Sequence, residues 1–295
     1  MQLTAIEVER QLRLDIGGFT LDPLGYVLYN WAWGKEGTEL AHAKGPRKWQ
    51  RAFLERVGKK LRAGKTSPNQ IIREATSSGH GIGKSALVAM LIKWALDTFE
   101  DCKVVVTANT EKQLQTKTWP EVAKWHRLSL TRDWFVCTAT SLYSADPTHE
   151  REWRADAIPW SETNTEAFAG LHNERKRLVL IFDEASKIAD KVWEVAEGAL
   201  TDAWTEIIWA VFGNPTRATG RFRECFRKFR ARWEGQQIDS RTVEGTNREL
   251  HEQWVHDYGE DSDFVKVRVR GLFPSAGMKS LISELDVDVA WGRSL

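Results

Sequence analysis

Residues 77–85 read SSGHGIGKS, a run in which glycines alternate with other residues before a lysine and a serine. A short apolar run, 71–75, precedes it, and an almost wholly apolar segment, 86–96, comes after it. Strand, glycine-rich turn and helix in this order are the context of a phosphate-binding loop, in which backbone N–H groups and the helix N-terminus face phosphate oxygens. The sequence therefore predicts that Lys84 contacts the β- and γ-phosphates of a nucleotide and that the Ser85 hydroxyl binds Mg²⁺.

Ser78 departs from the usual pattern, because it stands where a phosphate-binding loop has its first glycine. We expect the later glycines of the run to keep the backbone permissive. An ordinary glycine-rich turn before a helix is the alternative interpretation. The residues predicted to surround a bound nucleotide in this loop are Ser78, Gly79, His80, Gly81, Ile82, Gly83, Lys84, Ser85 and Ala86.

A second signal is LVLIFDEAS at residues 178–186, where an apolar run leads to two adjacent acidic side chains. A buried strand would deliver Asp183 and Glu184 to the carboxyl end of a parallel sheet, where ligands bind in open α/β folds. We predict that Asp183 holds Mg²⁺ and that Glu184 polarises an attacking water. The alternative is that both carboxylates only favour the start of a helix. Adjacent Asp and Glu favour hydrolysis over phosphoryl transfer to a second substrate.

A third signal lies after the next apolar run, EIIWAVF at 206–212, which ends in the polar turn GNPTR at 213–217. Asn214 and Thr216 would lie at the same sheet edge, where polar side chains can sense the γ-phosphate and pass the difference to moving parts. The alternative is an ordinary turn.

Upstream of the loop, the run GPRKWQ at 45–50 ends in Gln50. A glutamine amide can pair with N6 and N7 of adenine, and Trp33 or Trp49 could lie near the ring. From the residues alone, a surface glutamine is the simpler interpretation.

The composition bounds the class of protein: 295 residues, 42% hydrophobic and 28% charged, are typical of a globular chain with one large or two small domains. A net charge of +1 means that any binding to nucleic acid or membrane must come from a local patch. The three cysteines suit a reducing compartment and offer no metal-site spacing. Without an 18-residue apolar run or a signal-peptide pattern, we expect a cytoplasmic protein.

Residues 1–66 look mostly helical, and from residue 71 apolar strands alternate with helical segments. This alternation predicts an α/β fold with a mainly parallel central sheet and helices on both faces. The predicted strands are 71–75, 103–108, 134–142, 178–182 and 206–212, with 151–158 as an edge strand and 264–269 as a late strand. The predicted helices include 48–61, 86–96, 111–128 with Pro120 breaking it or starting a second one, 190–200, a basic helix at 221–233, and 247–258.

Taken together, the blocks resemble the large terminase subunit of tailed bacteriophages, the motor that drives genomic DNA into the procapsid. The resemblance covers about residues 30–285 and rests on WGKEGTEL, GPRKWQ, SSGHGIGKSAL, VVVTANTEKQL, PWSETNTEAFAGLH, LIFDEAS, GALTDAWTEIIWAVFGNPTRATGRF and FVKVRVRGLFP. It implies a P-loop, RecA-like ATPase fold that uses ATP with Mg²⁺ and translocates double-stranded DNA. It also implies that Gln50 contacts adenine and that Gly213, Asn214 and Thr216 form a coupling motif.

The same resemblance implies further partners: a small terminase subunit, a portal protein, and other copies of the chain in a ring, by analogy a pentamer. We expect no membrane partner, and a location in the cytoplasm of the bacterial host and transiently at the procapsid portal.

The expected organisation is a helical part with the adenine-binding segment at 1–66, the P-loop ATPase core at 67–275, and at 276–295 the start of a linker to an absent C-terminal nuclease domain. Asp286 and Asp288 are interpreted as the solvated face of that linker helix rather than as nuclease carboxylates. No DNA cutting is therefore expected of this chain.

An arginine that neutralises transition-state charge is common in hydrolytic motors. Many terminases carry one within the phosphate loop, where this chain has His80. The candidates here are Arg217 and Arg221 on the sensing side, and Arg151 and Arg154 before the second motif.

The segment 221–233 is the main basic stretch, and its aromatic residues recur at helical spacing, so we expect them in the core. Its cations could meet DNA phosphates or acidic residues of a neighbouring subunit, and the sequence leaves both open. The candidate contacts are Arg223, Arg227, Lys228 and Arg230. A second basic stretch, 44–65, is interpreted as a solvated helix face.

Two other functions compete with a packaging motor. One is another nucleic-acid-stimulated, helicase-like ATPase, which would need a second RecA-like domain. The other is an assembly module that binds nucleotide without turnover, an interpretation that intact Lys84, Asp183 and Glu184 disfavour and that multiple-turnover hydrolysis would exclude.

Overall fold

Eight strands form one sheet in the computed structural model, which describes residues 4–64, 71–108, 110–159, 171–198, 200–201 and 203–275. The strands are β1 Ile71–Ser78, β2 Lys103–Thr107, β3 Phe135–Cys137, β4 Ser141–Ser144, β5 Arg154–Ala157, β6 Arg177–Phe182, β7 Glu206–Gly213 and β8 Glu234–Ile238. Their order across the sheet is β3-β4-β5-β2-β6-β7-β1-β8. The pairs from β5 to β8 are parallel, whereas β4 is antiparallel to both β3 and β5. The predicted mainly parallel α/β sheet is therefore confirmed.

Helices cover both faces of this sheet and connect its parallel strands. They are α1 Ala5–Gly17, α2 Pro23–Asn30, α3 Lys48–Gly64, α4 Lys84–Asp97, α5 Glu111–Gln113, α6 Trp119–Arg127, α7 Asp190–Gly198, α8 Arg221–Glu224, α9 Arg248–Tyr258 and α10 Asp263–Val265. A π-helical turn joins α5 to α6, so the predicted helix at 111–128 continues to Pro120 and beyond it. In the described part of the chain, no helix is both long enough and apolar enough to cross a lipid bilayer.

The core consists of two apolar clusters, one on each face of the sheet, and β6 contributes to both. Side chains alternate along a strand, so Val179 and Ile181 pack with α3 and α4, whereas Leu180 packs with α7. Every residue of β6 is buried. This double burial explains why its sequence reads as a continuous apolar run and why the two acidic residues after it are held at the sheet edge.

Two predictions at the other side of the sheet are wrong. The run 134–142 is a hairpin of β3 and β4 instead of one strand, because the Thr138 hydroxyl accepts a hydrogen bond from the Ser141 amide at 3.0 Å and turns the chain. This turn contains no glycine or proline that would have marked it in the sequence. The run 151–158 is not an edge strand, because β5 lies between β4 and β2.

The predicted basic helix at 221–233 is also wrong, since α8 ends at Glu224 and the chain then turns into β8, a strand that the sequence did not reveal. Phe222 and Trp233 are nevertheless buried, as expected. The Trp233 ring lies 5.1 Å from Trp209 and thereby draws the segment onto the sheet. The segment therefore packs on the sheet through this indole instead of continuing as a helix.

The predicted late strand at 264–269 is a helical turn, α10, followed by a π-helical turn at Lys266–Arg270. Ser262 begins this turn, because its hydroxyl accepts a hydrogen bond from the Val265 amide at 3.2 Å. The alternating valines that indicated a strand are buried here from a helical backbone. The segment 276–295, with Asp286 and Asp288, lies outside the described residues, as do most of the residues of PWSETNTEAFAGLH.

Candidate active site

The loop between β1 and α4 has the backbone of an anion-binding turn. Gly81 and Gly83 have φ angles of 77° and 83°, in the left-handed region that favours glycine. The first N–H groups of α4 have no carbonyl partner within the helix, and the helix dipole makes this end partly positive. The predicted strand, loop and helix are thus all present, and the loop can take up phosphate oxygens.

Gly79 has a different reason to be glycine. A β-carbon there would collide with the carbonyl oxygen of Val269. The neighbouring loop backbone is bound on the same side, because the His80 amide donates to the Arg268 carbonyl at 2.8 Å and the Ser240 hydroxyl donates to the His80 carbonyl at 2.8 Å. The late helical segment and Ser240 therefore fix one flank of the loop and leave its other flank to the cleft.

Lys84 projects back across the loop, and the acceptors that it meets among the described residues are neutral. Its ammonium donates to the Ser78 hydroxyl at 3.1 Å, to the Gly79 carbonyl at 3.3 Å and to the Asn214 side-chain oxygen at 3.4 Å. Burial lowers the pKa of Lys84, and the carboxylates of Asp183 and Glu184 partly oppose that shift. Ser78 thus supplies a hydroxyl acceptor where the usual loop has glycine.

Asp183 comes directly after β6 and is buried. One carboxylate oxygen accepts a hydrogen bond from the Thr118 hydroxyl at 2.6 Å, and the other accepts one from the Glu184 amide at 3.0 Å. Burial raises the pKa of Asp183 despite these bonds. Carboxylate and hydroxyl oxygens are the ligands that Mg²⁺ prefers, and a buried carboxylate gains from a nearby cation, so Asp183 and Ser85 fit the predicted metal.

Glu184 adopts a left-handed backbone with φ 53°, which is uncommon for a residue with a side chain. This turn separates its carboxylate from that of Asp183 and brings it to the wall of a cleft of about 630 Å³. Its carboxylate pairs with the Lys187 ammonium at 3.5 Å. Strain of this kind occurs most at functional sites, where the surrounding fold holds the residue in place.

The segment after β7 connects the phosphate loop with the acidic loop. The Asn214 amide group donates to the Ser78 carbonyl at 2.6 Å, and the Thr216 backbone amide donates to the Ser186 hydroxyl at 3.0 Å. A β-carbon at Gly213 would lie only 3.1 Å from the Ala185 nitrogen, so the two segments are in close contact. The predicted coupling motif therefore contacts both loops.

Gln50 is buried beside the same loop, with both ends of its amide engaged. It donates to the Gly83 carbonyl at 2.8 Å and accepts from the Arg47 backbone amide at 2.8 Å. Trp33 lines the cleft, whereas Trp49 lies beneath the loop and donates to the Ile82 carbonyl at 2.8 Å. The adenine contact of Gln50 stays a prediction. It requires the second N–H and the second oxygen lone pair of the amide, or an exchange of these bonds.

The cleft contains residues of all four motifs, but the predicted residues Ser78, Gly79, Asp183, Gly213 and Thr216 do not line it. It is lined by Trp33, Glu39, Leu40, His42, Ala43, Gly45, Pro46, Arg47, Gln50, His80, Gly81, Ile82, Gly83, Lys84, Ser85, Ala86, Met90, Glu121, Lys124, Trp125, Glu184 and Asn214. Sequence reasoning missed Thr118, Ser186 and Ser240, whose types are common and whose partners are distant in the chain. It also passed over Arg47, although the quoted run GPRKWQ contains it.

The candidate arginine fingers do not converge on this cleft. Arg154 begins β5, at the opposite edge of the parallel sheet from the loop, and pairs with Asp156 at 2.6 Å. Arg221 pairs with Glu197 at 2.5 Å. Arg217 and Arg151 are exposed, and Arg217 is the one that stands directly after the coupling motif. The role of each stays a prediction.

The candidate contact residues of the basic segment are accessible. Arg227, Lys228 and Arg230 are exposed and Arg223 is half-buried, and none of them forms an ion pair within the described parts of the chain. The Lys228 ammonium lies 5.3 Å from the centre of the Phe229 ring. These cations are therefore available to an anionic partner.

Comparison with known proteins identifies phage relatives, although no protein-family profile matches the chain. A probable terminase large subunit of Enterobacteria phage P7 is 25% identical over 234 residues, which are 75% of this chain and 46% of that protein. The chain thus spans about half the length of this curated relative. The resemblance predicted from the motifs is confirmed.

Two solved structures share the fold. The large terminase of a thermophilic bacteriophage has a TM-score of 0.51 at 13% identity, over 71% of this chain and 50% of that one. The large terminase ATPase domain of Thermus phage P74-26 has a TM-score of 0.50 at 16% identity, over 72% of this chain and 92% of that one. The predicted α/β fold with a mainly parallel central sheet is therefore confirmed, and these two terminase structures share it.

Proposed function

We propose that this chain, a relative of phage terminase large subunits, hydrolyses ATP and uses the energy to drive double-stranded DNA into a procapsid. The observation that carries the proposal is the convergence of Lys84, Glu184 and Asn214 on one cleft beside the buried Asp183. A cation, a base and a polar sensor around a phosphate-binding loop are the parts that phosphoanhydride hydrolysis needs.

Each residue has a separate task in this proposal. The loop amides and Lys84 bind the phosphate chain, and Ser85 and Asp183 hold Mg²⁺, which when bound neutralises phosphate charge. Glu184 orients the attacking water and accepts its proton. Thr118 keeps the Asp183 carboxylate in position through its hydrogen bond of 2.6 Å. Gln50 contacts adenine, and Ser78 to Ala86 line the phosphates.

The substitution Glu184→Gln tests the hydrolytic step. We expect nucleotide binding to persist and steady-state turnover to fall about 100- to 10,000-fold, because the amide cannot accept the proton. Glu194→Gln is the matched control, since Glu194 is exposed on α7 and pairs with Lys191 at 3.3 Å. Near-normal turnover of Glu184→Gln would remove this residue as the base.

Coupling to DNA is inferred from the position of the basic segment. Asn214 and Thr216 contact both loops of the site, and the basic segment begins shortly after them in the chain, with α8. The first residue of α8, Arg221, is tied to the helix after the acidic loop, because its backbone amide donates to Asp190 at 2.9 Å. A change at the coupling motif on loss of γ-phosphate can thus move the basic segment. We infer that this segment contacts duplex phosphates.

The double substitution Arg227→Glu with Lys228→Glu tests the inferred DNA contact. We expect ATP hydrolysis without DNA to be unchanged and its stimulation by duplex DNA to be lost, because reversed charges repel phosphates. Lys35→Glu with Lys59→Glu is the control, since both lysines are exposed elsewhere and the net charge changes equally. Equal stimulation of both double variants would contradict the contact.

The remaining partners are proposed by analogy with the relatives: a small terminase subunit, a portal protein and further copies of the chain in a ring. Such a motor works in the host cytoplasm and, during packaging, at the procapsid portal. If subunit packing rather than DNA engages Arg227 and Lys228, the charge reversal would weaken self-association instead of DNA stimulation.

A further inference from the structure

Arg47 lies one residue before α3, far from the phosphate loop in sequence but in contact with it in space. Its guanidinium donates to the Gly81 carbonyl at 2.8 Å and lines the same cleft as Lys84. The side chain is half-buried, and it forms no ion pair with any residue that the structure describes. A guanidinium has five N–H groups, and the bond to the Gly81 carbonyl occupies one of them.

The charge balance of the cleft makes Arg47 unusual. Of the lysines and arginines that line it, Lys124 pairs with Glu121 at 3.8 Å, whereas Arg47 and Lys84 lack an ion-pair partner among the described residues. Burial lowers the pKa of Arg47, and only Glu244, at longer range, opposes this shift. Removing a cation from water without a carboxylate partner is costly, so two such cations facing one cleft call for an anion.

The bond to the Gly81 carbonyl positions the guanidinium before any ligand arrives, and two glycines leave room for it. A β-carbon at Gly83 would lie 3.6 Å from one of its terminal nitrogens, and one at Gly245 would lie 3.3 Å from the other. The backbone amide of Arg47 is fixed in turn by the Gln50 side chain at 2.8 Å. Pre-organisation of this kind reduces the entropy lost on binding.

We propose that Arg47 binds the phosphate chain of the nucleotide as a second cation beside Lys84, supplied by the same chain. The ligand it takes is a polyphosphate, and guanidinium pairs with phosphate oxygens through charge-assisted hydrogen bonds. The proposal deepens the proposed function, on which the identity of the nucleotide rests. It makes the N-terminal helical part a contributor of phosphate-binding charge as well as of the predicted adenine contact.

Binding of pyrophosphate, ADP and ATP by Arg47→Gln tests the proposal. The glutamine retains an N–H donor for the Gly81 carbonyl but removes the charge. We expect the affinity for all three ligands to fall about 10- to 100-fold, including pyrophosphate, which has no base. Arg47→Lys keeps the charge, and we expect it to recover part of the affinity.

Arg62→Gln is the matched control, because Arg62 lies on α3 and likewise donates to one backbone carbonyl, that of Leu21 at 2.7 Å, away from the cleft. It should bind all three ligands as the unmodified chain does. Thermal melting of each variant without ligand separates a loss of binding from a loss of fold.

Two results would overturn the proposal by giving Arg47 a different role. One is unchanged pyrophosphate affinity with weakened ATP and ADP binding, which would place Arg47 at the base or ribose. The other is equal loss of affinity in Arg47→Gln and Arg47→Lys with an equally lowered melting temperature, which would make Arg47 a support of the loop only. If the unmodified chain binds and hydrolyses ATP while Arg47→Gln matches it, this proposal alone fails, whereas absence of nucleotide binding by the unmodified chain would contradict the proposed function itself.

Discussion

Lys84 and Lys93 lie on the same helix, α4, yet their surroundings differ in kind. Lys93 is fully buried, and its ammonium lies 2.8 Å from a carboxylate oxygen of Asp97. The other oxygen of Asp97 accepts from the hydroxyl of Tyr26 at 2.6 Å and also from that of Thr131. Lys84, by contrast, has three neutral acceptors at 3.1 to 3.4 Å and no carboxylate within ion-pair distance among the described residues.

The charge of Lys93 is paired within the fold, whereas the charge of Lys84 is free to bind a ligand. The Lys93 pair is satisfied from within the chain and ties α4 to the segment before β3, since its ammonium also reaches the Thr131 carbonyl at 3.4 Å. At Lys84 the long bonds to neutral groups leave the charge uncompensated. A half-buried cation that has no carboxylate partner among the described residues is therefore a better indicator of function here than burial itself.

Lys93→Met should give the largest change in stability. Removing one member of a buried ion pair leaves Asp97 charged and unpaired, so we expect the free energy of unfolding to fall by about 3–5 kcal/mol. Urea denaturation measures this change. Combining it with Asp97→Leu should restore part of the loss, because the unpaired carboxylate is removed. A loss below about 1 kcal/mol in the single variant would show that this pair is not what distinguishes Lys93 from Lys84.

Lys84→Met should show the reverse pattern, with function lost and stability kept. We expect ATP turnover to fall about 100- to 1,000-fold, because a pre-organised charge at the phosphates is lost. Burial lowers the pKa of Lys84, so placing this side chain in the fold costs stability at pH 7, which lies below its unfolded pKa. The urea midpoint should therefore not decrease. A clear decrease would make Lys84 a structural residue like Lys93.

Thr118→Val tests whether Asp183 needs its hydrogen-bond partner in order to bind the metal, just as Asp97 has partners in its buried pair. Losing the hydroxyl that donates to Asp183 at 2.6 Å should raise the Mg²⁺ concentration needed for half-maximal hydrolysis about 10-fold. Thr116→Val is the control, because Thr116 donates to the Lys112 carbonyl at 2.7 Å on the exposed side of the same helical run. An unchanged Mg²⁺ requirement would contradict a role of Asp183 in binding the metal.

The smallest expected effect is the pH dependence of stability that arises from two histidines outside the cleft. Burial lowers the pKa of His126 to about 4, so the unfolded chain binds the proton first, and this residue makes stability fall as pH drops from 7 towards 5. A hydrogen bond to Asp101 raises the pKa of His149, which has the opposite sign: its contribution is present at low pH and is lost as pH rises. Between pH 7 and pH 5, the free energy of unfolding of His126→Gln should fall by about 1 kcal/mol less than that of the unmodified chain. The free energy of unfolding of His149→Gln should fall by more than that of the unmodified chain. Urea denaturation at pH 7 and pH 5 measures both, and the same response in both variants would contradict these assignments.

The sequence was sufficient where the physical signal is local. In SSGHGIGKS the left-handed glycines and the helix start lie within one turn, and in LIFDEAS the buried strand delivers the acids within two residues. The strand at 206–212 and the helix at 48–61 were likewise readable from hydrophobic periodicity alone. Such patterns act over a few residues and do not depend on the elements that pack against them.

Prediction failed where a distant contact decides the local backbone. The polar strand β8 exists because it pairs with β1, and α8 ends early because Trp233 packs on Trp209. The sequence of β8, EGQQI, carries no strand periodicity of its own. In such segments the free energy comes from tertiary contacts, and these outweigh local propensity.

The amino-acid sequence by itself determined which residue types can bind phosphate, hold a metal and activate water, and placed each at the end of a strand or the start of a helix. Only the tertiary structure decided that Arg47 meets Gly81, that Thr118 meets Asp183 and that Thr216 meets Ser186. The physical reason is that residue type sets what a side chain can bind, whereas the packing of helices and strands on the sheet sets which partners come within hydrogen-bonding distance.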